Sequence, residues 1–428
     1  MSLSGTGKLA DTARRDIAQP RVSAISSTAL RVAFLDHLRY LMVVLVLVYH
    51  AVAAYASVAP HWVVHDTVSV AANITRELLD VFMMPVLFFV AGYFALPSLE
   101  KNGAWEFFKD KVKRLLTPWA LAVLIFLPIV MYDTPGHVSP FRNFYFWYLG
   151  SFQVRLRFSQ AAQGPTTQAI YWFISLLFVF FVLFALVHTL TRRWWSRSSP
   201  GTLRKTTGSS ALVTLTVFGL LTCAGYFGSL LLFPDSSWFT LHMLLEFQVT
   251  RLVLFAGYFA FGVYAQSHGW FADGKAPGSL GIWGALSGAL AIAYLVIGQP
   301  VFADTAGTAH LAAGLLLAFA VVRSLLLLSL LMLLVSIGIS YWNRSRWFDR
   351  QLAATSYNIY LTHFWLVLAI QAALLTWIGG PVLAKVVIVF LVALLLSFAL
   401  SRWVIGRFPR AFALVILSLF VFCLAVRP

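Results

Sequence analysis

The residues LMVVLVLVYHAVAAYASV, at positions 41–58, form an uninterrupted apolar run. A helix needs about 20 predominantly apolar residues to cross the hydrocarbon core of a bilayer. A second run of this kind covers 387–405, and several more lie between the two. Such runs are too long for the core strands of a soluble fold. The stretch at 41–58 therefore predicts a membrane-spanning helix, and its repetition predicts a bundle.

The whole composition agrees with that interpretation. Hydrophobic residues make up 60% of the chain and charged residues 11%, with a mean hydropathy of +0.84. We predict an all-α, polytopic membrane bundle of 10–11 transmembrane helices over 33–428, preceded by a polar, disordered tail at 1–32. The candidate spans are 38–57, 77–97, 115–132, 168–190, 211–233, 249–267, 279–298, 311–339, 354–378, 381–405 and, less clearly delimited, 411–426.

The charge pattern predicts the orientation. The formal net charge is +16. With Arg402 placed at the inner end of its span, 22 of the 31 lysines and arginines fall in alternate segments, beginning with the N-terminal one. The opposite segments hold seven, counting Arg251 and Lys385 at the outer ends of their spans, and Arg39 and Arg323 lie deeper within spans. Cytoplasmic loops carry such an excess of basic residues, so the N-terminus is predicted to be cytoplasmic. The same distribution argues against nucleic acid as a partner, because the positive charge is divided among loops.

Ionisable residues inside a membrane are costly and are candidate functional groups. Arg39 and His50 lie eleven positions apart in the first span, which is three helical turns with roughly 20° left over, so both should face one way about 16 Å apart along the axis. Near mid-membrane, a neutral imidazole at His50 could accept a proton. His363 should reach a similar depth in its own span. For either histidine, packing between helices by one hydrogen bond is the alternative.

Other polar residues allow two interpretations each. Arg323, in the middle of the 311–339 span, could contact a carboxylate or phosphate of a ligand, or form a structural pair with a carbonyl or an acid of a neighbouring span. Asp36 lies just before the first span. Lys111, Lys113 and Arg114 suit lipid headgroups or the phosphates of a nucleotide, although the positive-inside rule also explains them.

The remaining observations concern features that the sequence lacks, namely carboxylates in the middle of spans and metal-ligand spacing. Glu77 and Asp80 are placed near the outer start of the second span, and none of the fifteen acids is placed mid-span. Ion-coupled transporters usually carry carboxylates there, so this disfavours a transporter. The isolated cysteines Cys223 and Cys423 offer no metal-ligand spacing, and no metal site is predicted.

Two stretches are predicted to lie at the interfaces of the membrane. Residues 101–116 read as a basic amphipathic helix at the inner interface. Residues 141–160 read as an outer aromatic segment that includes Trp147 and Arg155, for which anchoring is the alternative to function.

Five fragments, in order along about 350 residues, resemble the acyltransferase-3 family of membrane proteins. The hallmark of its first span is a basic residue followed, after ten residues, by a histidine. Arg39 and His50 resemble this pattern. Residues 84–94, MPVLFFVAGYF, resemble its second-span signature, with Ala91 where serine is common. Residues 111–119, KVKRLLTPW, resemble its paired-base motif, with Lys111 for the first arginine.

The remaining two fragments are Trp172-Phe173, which resembles the tryptophan motif of the fourth span, and residues 356–363, SYNIYLTH. The methionine-proline start of the second signature resembles the branch that includes glucan biosynthesis protein C. The apolar run at 411–426 departs from the usual ten spans, which leaves the side of the C-terminus open.

The resemblance implies a membrane O-acyltransferase of the bacterial inner membrane. Acetyl, succinyl or a similar group would pass from acyl-CoA, a co-substrate, to a hydroxyl of an envelope glycan or other carbohydrate-type acceptor, with no bound cofactor. His50 would be the general base, with Arg39, His363 and Trp172 also in the catalytic group. Lys111, Lys113 and Arg114 would bind the phosphates of acyl-CoA, and Arg323 or Asp36 could contact the acyl group or acceptor. A flippase or exporter of a glycan or lipid-linked solute is the alternative.

Overall fold

The computed structural model describes residues 33–59, 62–132, 140–150, 157–159, 168–195, 208–241, 244–271, 274–304, 310–344 and 346–426. By its internal contacts the chain divides into Met1–Val32 and Ala33–Pro428. The predicted polar tail lies outside the described residues.

The described part is overwhelmingly helical. Its helices are α1 (Ala33–Ala51), α2 (Val70–Lys111), α3 (Thr117–Ala120), α4 (Leu127–Tyr132), α5 (Phe141–Gly150), α6 (Trp172–Trp195), α7 (Gly208–Leu232), α8 (Leu252–Ser267), α9 (Leu280–Ile297), α10 (Gln299–Ala303), α11 (Ala313–Tyr341), α12 (Trp347–Leu374), α13 (Val382–Ala399) and α14 (Pro409–Val426). Wider π-helical turns at Val112–Leu116 and Leu121–Phe126 join α2 to α3 and α3 to α4, and a third at Leu400–Ile405 extends α13.

The prediction of a helical membrane bundle is confirmed. Among the described residues, eight helical segments are long and apolar enough to cross a membrane, and α8 and α14 are shorter apolar helices. The sequence analysis did not predict a small antiparallel sheet of β1 (Arg157–Ser159), β2 (Trp238–Leu241) and β3 (Leu245–Gln248), in that order.

The second and third predicted spans belong to one helical run that folds back on itself. The run covers 61 residues, which would extend about 90 Å if straight. Arg76 near its start and Val130 at its end nevertheless line the same cavity. Gly103 has φ 75° and ψ 162°, a conformation outside the helical region that glycine adopts without a steric penalty. The chain therefore reverses at Gly103.

The predicted interfacial stretch at 101–116 contains Gly103 and the start of the returning segment, and its location at the inner interface stays a prediction. Phe107 is buried against Phe181 of α6, whereas Trp105 is 66% exposed. The predicted outer aromatic segment contains α5, in which the Tyr148 hydroxyl donates to the Val123 carbonyl. The side chain of Trp147 and all of Arg155 lie outside the described residues.

Helix α1 occupies the middle of the packing that forms the site. It contacts α2, α11, α12 and α13. Its buried residues include Phe34, Leu38, Met42, Val46 and His50. These positions are spaced by four, so they form one stripe along the helix. Packing of this stripe against its neighbours fixes the direction in which His50 points.

Candidate functional site

A cavity of about 670 Å³ lies at the end of the bundle where α1 finishes. His50 contributes to its lining from the last turn of α1, and Leu127 and Val130 contribute from α4. The sequence analysis placed His50 near the middle of a span at 38–57. The helix instead begins at Ala33 and ends at Ala51, so His50 stands close to its C-terminal end.

The structure brings His50 and His363 together. Nδ1 of His50 lies 3.1 Å from Nε2 of His363, and both rings are buried. Arg39, eleven residues before His50, donates from Nη2 to the Ala353 carbonyl at 3.2 Å. Ala353, the partner of Arg39, and His363, the partner of His50, both belong to α12. The predicted common direction of Arg39 and His50 is therefore observed, and the face they share is the one packed on α12.

The hydrogen bonds of His363 determine where the protons lie. Its Nδ1 is 3.1 Å from the Ile359 carbonyl and 2.9 Å from the Tyr360 carbonyl. A carbonyl can only accept, so Nδ1 of His363 carries the hydrogen and Nε2 of the neutral ring is an acceptor. Nδ1 of His50 must then be the donor of the contact between the two rings. A neutral His50 consequently keeps its lone pair on Nε2.

This geometry changes the role of His363. The resemblance placed His363 in the catalytic group beside His50. Both of its nitrogens are already engaged, one with carbonyl oxygens and the other with His50. The Ile359 and Tyr360 carbonyls thus orient His50 through a second imidazole.

An indole covers one flat side of His50. The Trp62 and His50 rings are stacked with centroids 5.3 Å apart and planes 14° apart. The Trp62 Nε1–H donates to Oε1 of Gln371 at 2.8 Å. Trp62 comes from the loop between α1 and α2, and this loop is fixed to α13 by a 2.6 Å ion pair between Asp66 and buried Lys385.

Aromatic rings form much of the remaining wall. Trp172 lines the cavity at the start of α6, with its ring packed on Trp238 of β2 and Phe255 of α8. Within the described part of the chain, its indole N–H makes no hydrogen bond. Trp62, Trp238 and Trp365 also line the cavity.

A cluster of buried ion pairs closes the other side. The Arg251 guanidinium, just before α8, contacts the carboxylates of Asp80 and Asp235. Arg323 donates to the Asp80 carboxylate at 3.3 Å and to the Tyr294 hydroxyl at 2.8 Å. Burial alone raises the pKa of Asp235, but the cations of Arg251 and Arg323 outweigh it and hold that pKa well below its usual range.

Two sequence-based interpretations are affected by this cluster. Asp80 was placed near the outer start of the second span, but it lies ten residues into α2 and is part of a buried network. The argument from the acids against a transporter stays a prediction. Arg323 forms the structural pair that was one of its two interpretations. It is not part of the cavity lining in the described residues, so ligand contact by Arg323 stays a prediction without geometric support.

The remaining predicted site residues lie elsewhere. Asp36 forms an ion pair with Arg39 at 3.4 Å. Arg114 pairs with Asp110 at 2.6 Å, and the Lys111 ammonium sits 4.8 Å from the ring centres of Phe107 and Phe181. Lys113 is exposed. None of these residues lines the described part of the cavity, and binding of acyl-CoA phosphates by Lys111, Lys113 and Arg114 stays a prediction.

Sequence reasoning missed three residues of the site. Gln371 is an amide inside an apolar stretch of α12, and a lone polar residue in a span is a signal that could have drawn attention to it. Arg251 lies near the start of the predicted span at 249–267, one residue before α8, and resembled an ordinary interfacial charge. Trp62 lies in a loop, where nothing in the local pattern distinguishes it.

Comparison with known proteins supports one assignment. The chain matches the acyltransferase-3 family, described as an acyltransferase domain, over residues 32–402. Neither a curated protein nor a solved structure gave a match. The matched range contains α1 to α13 and every cavity residue named above. The chain belongs to the acyltransferase-3 family of acyltransferase domains.

Proposed function

We propose that the chain transfers an acyl group from acyl-CoA to a hydroxyl of a carbohydrate-type acceptor, with Nε2 of His50 as the general base. One observation carries the proposal. The bonds from the Ile359 and Tyr360 carbonyls through His363 to His50 leave the lone pair on Nε2 of a histidine that lines a 670 Å³ cavity. A general base needs an available lone pair within reach of the proton that it removes.

The reaction follows from that arrangement. Nε2 of His50 takes the proton of the acceptor hydroxyl while the oxygen forms a bond to the thioester carbonyl carbon. The carbonyl electrons move to oxygen, and the Trp172 indole N–H is the donor we assign to that oxyanion. Collapse of the intermediate breaks the carbon–sulfur bond. The proton held by His50 passes to the departing thiolate, which leaves as CoA, and the histidine is neutral again.

Two features support the proposed acceptor and donor. Tryptophan rings beside charged groups are suited to a sugar, which presents apolar faces and a rim of hydroxyls, and the cavity combines Trp62, Trp238 and Trp365 with Arg76 and Glu77. The side of the membrane from which acyl-CoA binds is assigned from the charge distribution. In this proposal the N-terminus is cytoplasmic and the membrane is a bacterial inner membrane. The CoA phosphates then bind at the cytoplasmic side, near Arg39, Lys111, Lys113 and Arg114. Within the family we favour the branch that includes glucan biosynthesis protein C.

The proposal is tested with membranes that contain the chain and are supplied with radiolabelled acetyl-CoA or succinyl-CoA. We expect label in a glycan or lipid fraction. His50→Ala should reduce the transfer rate by about 10²–10⁴-fold, the usual contribution of a general base. His268→Ala is the matched control, because His268 is exposed at the end of α8 and outside the described cavity lining.

Two outcomes would contradict the proposal. Full transfer by a folded His50→Ala protein would exclude this base. Movement of a solute across the membrane with no transfer of label would favour the flippase or exporter instead.

A further inference from the structure

Helix α1 ends immediately after the candidate base. The carbonyls of the last turn of a helix have no intrahelical partner and must be satisfied by other groups. Gln371 of α12 donates hydrogen bonds to two of these carbonyls. Its side-chain amide donates to the His50 carbonyl at 3.0 Å and to the Ala51 carbonyl at 3.1 Å. A single side chain of a neighbouring helix therefore caps α1 at the residue that carries the base.

The same amide also holds the ring that covers His50. Its Oε1 accepts the Trp62 Nε1–H at 2.8 Å, and the Trp62 ring lies flat on the imidazole. Gln371 is 1% exposed, so these contacts are shielded from water. The network also fixes the orientation of the amide. Carbonyls only accept and an indole N–H only donates, so the amide nitrogen must face the helix end and the oxygen must face Trp62.

Few side chains could replace this amide. The position needs two hydrogens directed at carbonyls and one oxygen directed at an indole, and a primary amide provides both. An ionised glutamate would keep the acceptor but turn negative charge toward the carbonyl oxygens. Methionine has a similar length and offers neither hydrogen bond.

We propose that Gln371 is a positioning residue for His50. It holds the backbone of His50 through the two carbonyls and the plane of the ring through Trp62, while His363 of the same helix holds Nδ1. Together these contacts aim Nε2 into the cavity. The proposal rests on the proposed function, in which Nε2 of His50 removes the acceptor proton.

The activity test uses the full chain in native-like membranes with radiolabelled acetyl-CoA, normalised to folded protein. Gln371→Met is expected to lower kcat at least about tenfold with little change in KM for acetyl-CoA, since the orientation of the base is lost and donor contacts remain. Gln351→Met is the matched control, because Gln351 lies on the same helix about 30 Å away along the axis. A purely structural role would reduce the amount of folded protein and leave kcat unchanged.

A second variant reports on the same contact without touching the cap. Trp62→Phe keeps a ring over His50 but removes the hydrogen that binds Gln371. If both residues act through that hydrogen bond, the kcat loss of the double variant should be smaller than the product of the two single losses. Independent, multiplicative losses would overturn the proposed link through Trp62.

A ligand-free measurement separates this proposal from the proposed function. Diethyl pyrocarbonate modifies unprotonated imidazoles, and peptide mass spectrometry reports its rate at His50 alone. We expect several-fold faster modification in Gln371→Met than in the wild type or Gln351→Met, because the ring is released from Trp62. Unchanged modification together with unchanged kcat would overturn the positioning role. Altered modification in a protein that transfers no acyl group would overturn the proposed function and leave the positioning of His50 intact.

Discussion

At the residue scale, the central feature is a pair of histidines whose protons are fixed by backbone carbonyls. Catalytic histidines are often oriented by a carboxylate, which also stabilises the charged imidazolium. In this site, a neutral His363 transmits the direction of two carbonyl dipoles to His50. Its contribution is therefore orientation of the ring and selection of the tautomer.

This interpretation predicts different results for two substitutions of His363. His363→Leu removes the His363 acceptor for Nδ1–H of His50, so the tautomer with its hydrogen on Nε2 also forms. We expect acyl transfer to fall at least about tenfold, within the range that general-base catalysis contributes. His363→Gln keeps a side-chain oxygen that can accept the same hydrogen and should lose less. Transfer from labelled acetyl-CoA, per folded molecule, provides the comparison, and equal losses in both variants would contradict the tautomer argument.

At the scale of elements, α2 and α8 cross closely at Phe259, one turn from Phe255, on which the Trp172 ring packs. A Cβ atom on Gly92 would lie 2.0 Å from the Phe259 carbonyl oxygen, and one on Gly262 would lie 2.1 Å from the Phe89 carbonyl oxygen. Small residues allow helices in membranes to approach backbone to backbone. The glycine in the motif at 84–94 is thus explained by packing.

Gly92→Ala is expected to destabilise the protein, because the obstructing atoms are backbone atoms and the two helices must separate. The cost should be at least about 1–3 kcal/mol. Gly288→Ala on α9 is the matched control, since a Cβ atom there meets nothing within 4 Å. It should be neutral or stabilising by up to about 1 kcal/mol. Thermal unfolding midpoints in detergent measure both, and similar midpoints for the two variants would contradict this account of the crossing.

At the scale of the whole molecule, the path of the chain bears on the side of the C-terminus, which the sequence left open. Helix α14 has 18 residues, or about 27 Å, close to the thickness of the hydrocarbon core. It begins four residues after the π-helical extension of α13, and its residue Phe420 packs on Phe141 and Tyr145 of α5. Helix α5 follows α4, at the end of the bundle that holds the cavity. Helix α14 thus runs from the segment after α13 toward α5.

We therefore expect the N- and C-termini on opposite sides of the membrane, with the N-terminus in the cytoplasm. Alkaline phosphatase, which is active only outside the cytoplasm, should be active when fused after Pro428. It should be inactive when fused within the basic segment at 191–210, where a fluorescent protein should be bright instead. A phosphatase that is inactive at the C-terminus would show that α14 does not cross, and activity at 191–210 would reverse the whole orientation.

The sequence by itself determined the class of the fold and much of its chemistry. Long apolar runs admit few structures other than spanning helices, because only a helix satisfies its own backbone in hydrocarbon. Helical spacing likewise placed Arg39 and His50 on one face. Only the tertiary structure decided which groups meet across helices, including His50 with His363, Trp62 with Gln371, and Arg323 with Asp80. These contacts join residues more than 200 positions apart, and local periodicity describes how one helix is oriented without specifying its neighbours.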